Sequence, residues 1–281
     1  MHVVKIACER PELRDRSLST WDCTEIAREL VRSGVVETIS PQTVQRILAH
    51  HKLKPWRVHM WLNPKAPRDA AFVEQVRAIC DLYTRPLAPD EVVLSVDEKT
   101  SIQPRPRLAP TLPANVAKPT RVEHEYKRVG ALNLLAAFNT RTGTVIGRCY
   151  DRKRQVEFID FLEVLDREVP ASVRTIHVVL DNVRVHKGKQ VQAWLAVHPR
   201  FVFHFTPVHC SWMNQVEQWF SILQRKRLRL ADFASKDALR DAIERFIAQS
   251  NEHAHPFRWD QRSAAKVMKW ATRHLEPAEA A

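Results

Sequence analysis

Glycine is scarce in this chain: there are five in 281 residues, and none falls in a GxGxxG or GxxxxGK(S/T) pattern. Without such turns the backbone has no ready cradle for a nucleotide phosphate, which excludes nucleotide-binding loops of the usual kinds. Cysteine is equally thin. Cys8, Cys23, Cys80, Cys149 and Cys210 are scattered, odd in number and never spaced as C-x-x-C. That excludes a disulfide scaffold and a zinc framework, and it reads as reduced, buried thiols of a cytosolic protein. His209 and Cys210 adjoin, but two neighbours without two further ligands make no zinc site. No apolar run is long enough to span a bilayer, and the first residues carry no secretory pattern, so no membrane partner is expected.

What the chain has in excess is positive charge. Lys and Arg number 44 against 32 Asp and Glu, a net charge of +12, with a pI near 9.8. Basic excess spread over much of a chain suits a polyanionic partner, most simply nucleic acid. A hydrophobic content of 44% is ample for a core, and the length allows one large domain or two moderate ones.

Residues 1–18 are charged and show no clear period. From Trp21 the pattern turns helical, with Ile26, Ala27, Leu30 and Val31 on one face and Glu25, Arg28, Glu29 and Arg32 on the other; Gly34 ends that helix. Ser40-Pro41 opens a second helix as N-cap and first-turn proline. Val44, Ile47 and Leu48 face inward; Gln42, Thr43, Arg46 and His50 face outward, with Gln45 on the flank. Two short helices joined through a glycine turn fit either a helix-turn-helix or an ordinary helical hairpin. In the first case Gln and Arg reach base edges and Thr reaches phosphate. Residues 53–67, basic with Trp56 and Trp61, read as a linker or wing.

Beyond the linker, residues 70–83 carry a helical stripe of Phe72, Val73, Val76, Ile79 and Cys80. Val92, Val93, Leu94 and Val96 form a strand expected to stop at Asp97, with Glu98 pointing to the opposite face. Residues 101–127, rich in proline and basic side chains, read as a long irregular loop. Residues 128–151 form a hairpin around Gly143, and 157–169 a helix. The run 176–180, apolar and β-branched, reads as a strand buried on both faces that ends at Asp181-Asn182. A short strand at 201–205 follows. Then comes a helix with Val216, Trp219, Phe220 and Leu223 inward, Glu217 beside that stripe, and Asn214 on the polar side. Further helices are expected over 235–250 and 263–274. This order suits an α/β fold, a mixed sheet with helices on both faces.

Three carboxylates stand at element ends: Asp97, Asp181 and Glu217, with thirty-five residues between the last two. If the strands before the aspartates are neighbours, both emerge at one sheet edge, and the later helix can bring Glu217 there. Carboxylates converging in a partly buried site need a counterion, or repulsion protonates them. An oxygen-only set suits Mg²⁺ or Mn²⁺, and two such ions serve in-line displacement at phosphorus. Asn182 either aligns a ligand carboxylate or caps the next turn. His186 either contacts a phosphate or supports a metal's ligands from behind, or is a surface histidine. Asn214 is an orienting or DNA-contacting candidate.

At these residues the sequence resembles the IS630-type transposases of the IS630/Tc1/mariner superfamily. The pieces that carry the likeness are VDEKTSIQ at 96–103, EYKRVGALNLLAAFNTRTGTVIG at 125–147, LDNVRVHK at 180–187 and TPVHCSWMNQVEQWFSILQRKRL at 206–228. The resemblance implies a ribonuclease H-like catalytic domain over 67–281 behind a helix-turn-helix DNA-binding domain over 1–66. It implies a catalytic, metal-binding triad of Asp97, Asp181 and Glu217 holding two Mg²⁺ or Mn²⁺ ions. It also implies cleavage of double-stranded DNA at transposon ends and strand transfer into a target, by a homodimer in the synaptic complex. The protein would be cytoplasmic, on the nucleoid when DNA-bound, and would touch DNA through Gln42, Thr43, Gln45 and Arg46. Family members commonly carry two helix-turn-helix units, so residues 1–17 are expected to be a remnant or an alternative start, and recognition of the ends incomplete. A repressor-like copy without activity and a nuclease for RNA–DNA hybrids are the alternatives; intact carboxylates disfavour the first and the helical head the second.

Overall fold

Central to the larger part of the molecule is one strand with a neighbour on each side. The computed structural model describes residues 1–58, 68–230 and 232–273; Trp61, the end of the basic linker and His274 fall outside these. The chain separates into two units, Met1–Asn63 and Pro64–Ala281.

The first unit is built from α1 (His2–Cys8), α2 (Cys23–Arg32) and α3 (Pro41–His50). Asp22 and Ser40 cap the last two, accepting from the backbone N–H of Glu25 and Thr43. Val3, Ile6, Trp21, Ile26, Leu30, Val44 and Leu48 make its core. Residues 1–18 are thus not patternless: α1 contributes Val3 and Ile6 to that core, and a 3-10 turn, Pro11–Arg14, follows. The outward face expected of α2 is corrected at two positions. Glu29 is buried, held by Arg32 at 2.9 and 3.0 Å with Arg14 at 3.7 Å, whereas Val31 is exposed. Arg14 arrives from the turn and covers Glu29, so that burial follows a contact distant in sequence.

In the second unit, β1 (Glu91–Ile102), β2 (Leu132–Asn139), β3 (Val145–Tyr150), β4 (Thr175–Leu180) and β5 (Phe201–Phe205) form one sheet in the order β3-β2-β1-β4-β5. β1 is antiparallel to β2 and parallel to β4, which is parallel to β5. The apolar runs of β1 and β4 are explained by burial on both faces. On one face, Leu94, Val96, Ile176, Val178 and Leu180 pack with α5 (Gln155–Glu168) and α6 (Lys189–Val197). On the other, Leu134, Ala136 and Phe138 of β2 pack with α7 (Val216–Leu223) and α8 (Lys236–Glu252), while Val93 and Val179 meet α4 (Ala70–Thr84) and α9 (Gln261–Thr272).

Two expectations change. β1 does not stop at Asp97: pairing with β2 continues through Asp97↔Ala136, Glu98↔Leu135 and Lys99↔Leu134, which gives the backbone partners beyond the acid. The loop after β1 also folds back on itself, with bridges at Arg107↔Tyr126, Leu112↔Arg121 and Asn115↔Lys118. Gly143 turns the β2–β3 hairpin at φ +79°, and a Cβ there would sit 2.2 Å from the backbone of His255. No helix among the described residues is long and apolar enough to cross a membrane.

Candidate active site

The register of β1 on β4 builds the site. The last parallel pair is Ser95↔Val179; two residues further on come Asp97, still within β1, and Asp181, just past the end of β4. Ligands of open α/β sheets collect at such strand ends. Glu217 joins from the first turn of α7, whose Val216, Trp219, Phe220 and Leu223 are sunk in the core with β2.

Asp97 is buried, with only 6% of its surface exposed. Its Oδ1 accepts from the backbone N–H of Glu98 at 2.7 Å and its Oδ2 from Asn214 Nδ2 at 3.1 Å. Burial pushes its carboxyl up to about 7; the Glu98 N–H pulls the other way, and the charges of Asp181, Glu217 and Glu98 push further up. Glu217 is an exposed residue, yet its carboxyl meets Asp97 and is raised, first by desolvation and then by Asp181 and Glu98, against the pull of Lys99. Asp181 differs. Burial lifts it, but hydrogen bonds from His186 and from the Val183 N–H, with the charges of His186 and Lys187, outweigh burial and lower it.

His186 is no surface histidine. It is 1% exposed, its Nδ1 3.1 Å from Asp181 Oδ1 and its Nε2 3.4 Å from Glu98 Oε2. Its ring lies on Phe158 of α5, 4.5 Å between centroids. Burial opposes its charge, but the bonds to Asp181 and Glu98 prevail and raise it to about 9. Glu98 does lie on the face opposite Asp97, as alternation requires, and His186 wraps the strand ends to reach both acids. The Asn182 side chain caps no turn: its Nδ2 donates to the Thr206 carbonyl beyond β5, and its Oδ1 accepts from Lys187 Nζ at 2.6 Å.

Asn214 is also corrected. It is fully buried, not on the polar side of α7, because a 3-10 turn, Ser211–Met213, precedes the helix and shifts the phase. Residues that the spacing argument missed are Ser95, Glu98 and Tyr83. Ser95 was visible in principle, as the one hydroxyl inside an otherwise apolar strand run. In the first unit, Gln42, Gln45 and Arg46 are exposed on α3, and Thr43 Oγ1 lies 3.0 Å from Ser40 Oγ and accepts from Arg46 Nη2 at 3.3 Å.

Among the described residues no group of three His, Cys, Asp or Glu side chains stands ready to hold a metal ion. The donor chemistry nevertheless fits a hard divalent cation. The set is all oxygen, and Asp97 and Glu217 are raised by burial first and then by the negative charge around them. Asp97, Asp181 and Glu217 are the groups able to supply ligands.

The comparisons with known proteins follow this geometry. The insertion element IS630 uncharacterized 39 kDa protein of Shigella sonnei is 28% identical over 134 residues, covering 48% of this chain and 38% of that protein. The match therefore spans well under half the length of that curated relative. The Mos1 mariner paired end complex with Mn superposes with a TM-score of 0.54 at 14% identity, covering 96% of this chain and 77% of that one. The Mos1 Strand Transfer Complex gives 0.54 at 14% identity, covering 97% and 76%. At that identity the likeness is one of fold, the ribonuclease H-like mixed sheet flanked by helices, and it agrees with the resemblance seen in the sequence. The model of the DDE superfamily endonucleases matches residues 92–240, from β1 through α7 and into α8. Since that match takes in more than half of the residues and all three clustered carboxylates, the chain belongs to the DDE superfamily endonuclease family.

Proposed function

We propose that this chain is a transposase of the IS630/Tc1/mariner kind, cutting double-stranded DNA at the ends of a mobile element and transferring the strands to a target. The observation that carries the reading is Asp97 of β1 and Asp181 just past β4 grouped with Glu217, with Asp97 raised to about 7 by burial and by the charges of Asp181 and Glu217. Raised carboxylates so grouped are common at functional sites. Asp97, Asp181 and Glu217 would hold two Mg²⁺ or Mn²⁺ ions. When bound, the cations supply charge stabilisation to the oxygens around phosphorus.

The chain's own residues do the rest. His186 holds Asp181 in place and keeps a positive charge behind it. Asn182 ties the end of β4 to the end of β5 and to Lys187. In the first unit, Gln42, Gln45 and Arg46 are exposed on α3 and would meet base edges, with Thr43 at its first turn toward phosphate. The net charge of +12 supports a polyanionic substrate. Two copies acting together on two DNA ends, in the cytoplasm, complete the proposal; the Mos1 mariner protein of similar fold is described as a paired end complex.

The test is cleavage of DNA carrying the element's own ends, with Mn²⁺. D97N and E217Q are each expected to abolish nicking, a loss of at least about 10³-fold, while gel-shift binding of the same DNA is retained. Nicking retained by both variants defeats the assignment.

A further inference from the structure

We propose that Asn214 is a positioning residue which, together with Ser95, fixes the rotamer of the Asp97 carboxylate and ties β1 to the first turn of the helix that carries Glu217. The inference rests on the metal-dependent reading above and deepens it.

Every hydrogen-bonding group of the two side chains is committed. Asn214 Nδ2 donates to the Val96 carbonyl at 2.9 Å and to Asp97 Oδ2 at 3.1 Å. Asn214 Oδ1 accepts from the Ser95 hydroxyl, and Ser95 Oγ accepts in turn from the Val216 N–H at 2.9 Å. That N–H belongs to the first turn of α7, whose donors have no partner within the helix. A continuous path of bonds therefore runs from Asp97 through Asn214 and Ser95 to Val216, the residue before Glu217. Tyr83 braces it from α4, its hydroxyl donating to the Met213 carbonyl at 2.9 Å.

The amide is the side chain this position needs. Turned over, it would set its carbonyl against two acceptors, Val96 O and Asp97 Oδ2, and the Ser95 proton blocks that turn. A lysine or arginine would pair with Asp97 and compete with a cation for it. An aspartate would add a negative charge at the carboxylate already raised by its neighbours. A neutral donor orients Asp97 and leaves its charge unspent. Asn214 and Ser95 are both fully buried, so neither contacts DNA; their effect passes through Asp97. Partners standing behind a metal ligand alter metal affinity by about 10- to 100-fold.

The experiment uses the full chain. Mn²⁺ binding is measured by calorimetry without DNA, the Mn²⁺ concentration for half-maximal nicking is measured with DNA, and a melting curve is recorded for each variant. N214A is expected to weaken Mn²⁺ binding by about 10-fold or more and to raise the half-maximal Mn²⁺ in step, with gel-shift affinity for DNA unchanged, at temperatures well below its melting point. A merely structural role would lower the melting point and move neither Mn²⁺ value. N214A that is folded and keeps both wild-type Mn²⁺ values overturns the inference. If N214A does not fold, S95A carries the same readouts, since it leaves the amide but removes the proton that stops its turning; wild-type values there overturn the inference equally. Wild-type protein that binds no Mn²⁺ defeats the metal reading and this inference together, whereas wild-type binding with unchanged variants defeats this inference alone.

Discussion

The two ends of the β1–β4 pair use the same kinds of side chain to opposite effect. At the amino ends, Glu91 is gripped by Arg85 at 2.7 and 3.2 Å and accepts from the Ala88 N–H at 3.1 Å. His177 stands 3.5 Å from Glu91 and 3.3 Å from Arg85, and its Nδ1 lies 2.9 Å from His204 Nε2. The Arg85 bonds and the Ala88 N–H pull the Glu91 carboxyl down to about 2. Burial, with the charges of His177 and Arg85, pushes His204 down to about 4. At the carboxyl ends one buried histidine serves Asp181 and Glu98, while Asp97 and Glu217 rise. One end is closed on itself, with each acid matched by a cation or donor. The other holds more negative charge than its own residues neutralise. That surplus of negative charge is what the proposed site would offer a cation, and the amino end has none of it.

Exchanging acids for amides should therefore act in opposite directions at the two ends. The largest effect is expected of D97N: loss of nicking together with a gain in stability. The folded-state pKa of Asp97 lies above the unfolded value near 4, so its charge costs the native state at high pH. The gain from D97N should be greatest above pH 7, on the order of a few kcal/mol, and vanish as pH falls toward 4. Melting curves of both proteins at pH 8, 6 and 4.5 check this; a lower melting point for D97N at pH 8 would break the contrast. Next in size, Mn²⁺ at 100 times its dissociation constant should stabilise the wild type by about 2.7 kcal/mol and leave D97N nearly unmoved, read as the shift in melting temperature with and without the ion.

Much of the frame around the candidate site was legible before the structure. The apolar runs of β1 and β4 dictated strands buried on both faces, and the Val216, Trp219, Phe220 and Leu223 stripe placed Glu217 on a packed helix. What stayed hidden depended on partners distant in sequence. β1 continues past Asp97 because β2 pairs with it, and no local pattern states that. Asn214 was read in the phase of a helix that begins only at Val216. The burial of His186 needs the Phe158 ring from α5, and that of Glu29 needs Arg14. The amino-end network was invisible for the same reason: Arg85, Glu91, His177 and His204 lie on four segments that only the sheet brings together.

That network supplies the smaller effects, and they should leave chemistry alone. E91Q removes the carboxylate from a half-buried fork and is expected to cost about 2 kcal/mol, with nicking by the folded protein within a few-fold of wild type. The Glu91 contribution is present above pH 4.5 and is lost as pH falls toward 2, so E91Q and wild type should converge in acid. The last effect is the slightest. His204 has a folded pKa below its unfolded value, so between about 6.5 and 4 the unfolded chain binds a proton that the native state refuses, and stability falls as pH falls. One proton sets a ceiling of about 1.4 kcal/mol per pH unit on that slope. H204Q does not titrate and keeps an amide to meet His177, so the stability difference between wild type and H204Q should drift against wild type from pH 6.5 to pH 4 and stay level above pH 7. A difference that is flat across that window would show that His204 accepts its proton in the native state as readily as in the unfolded chain, and the amino end would then no longer stand as the closed counterpart of the site.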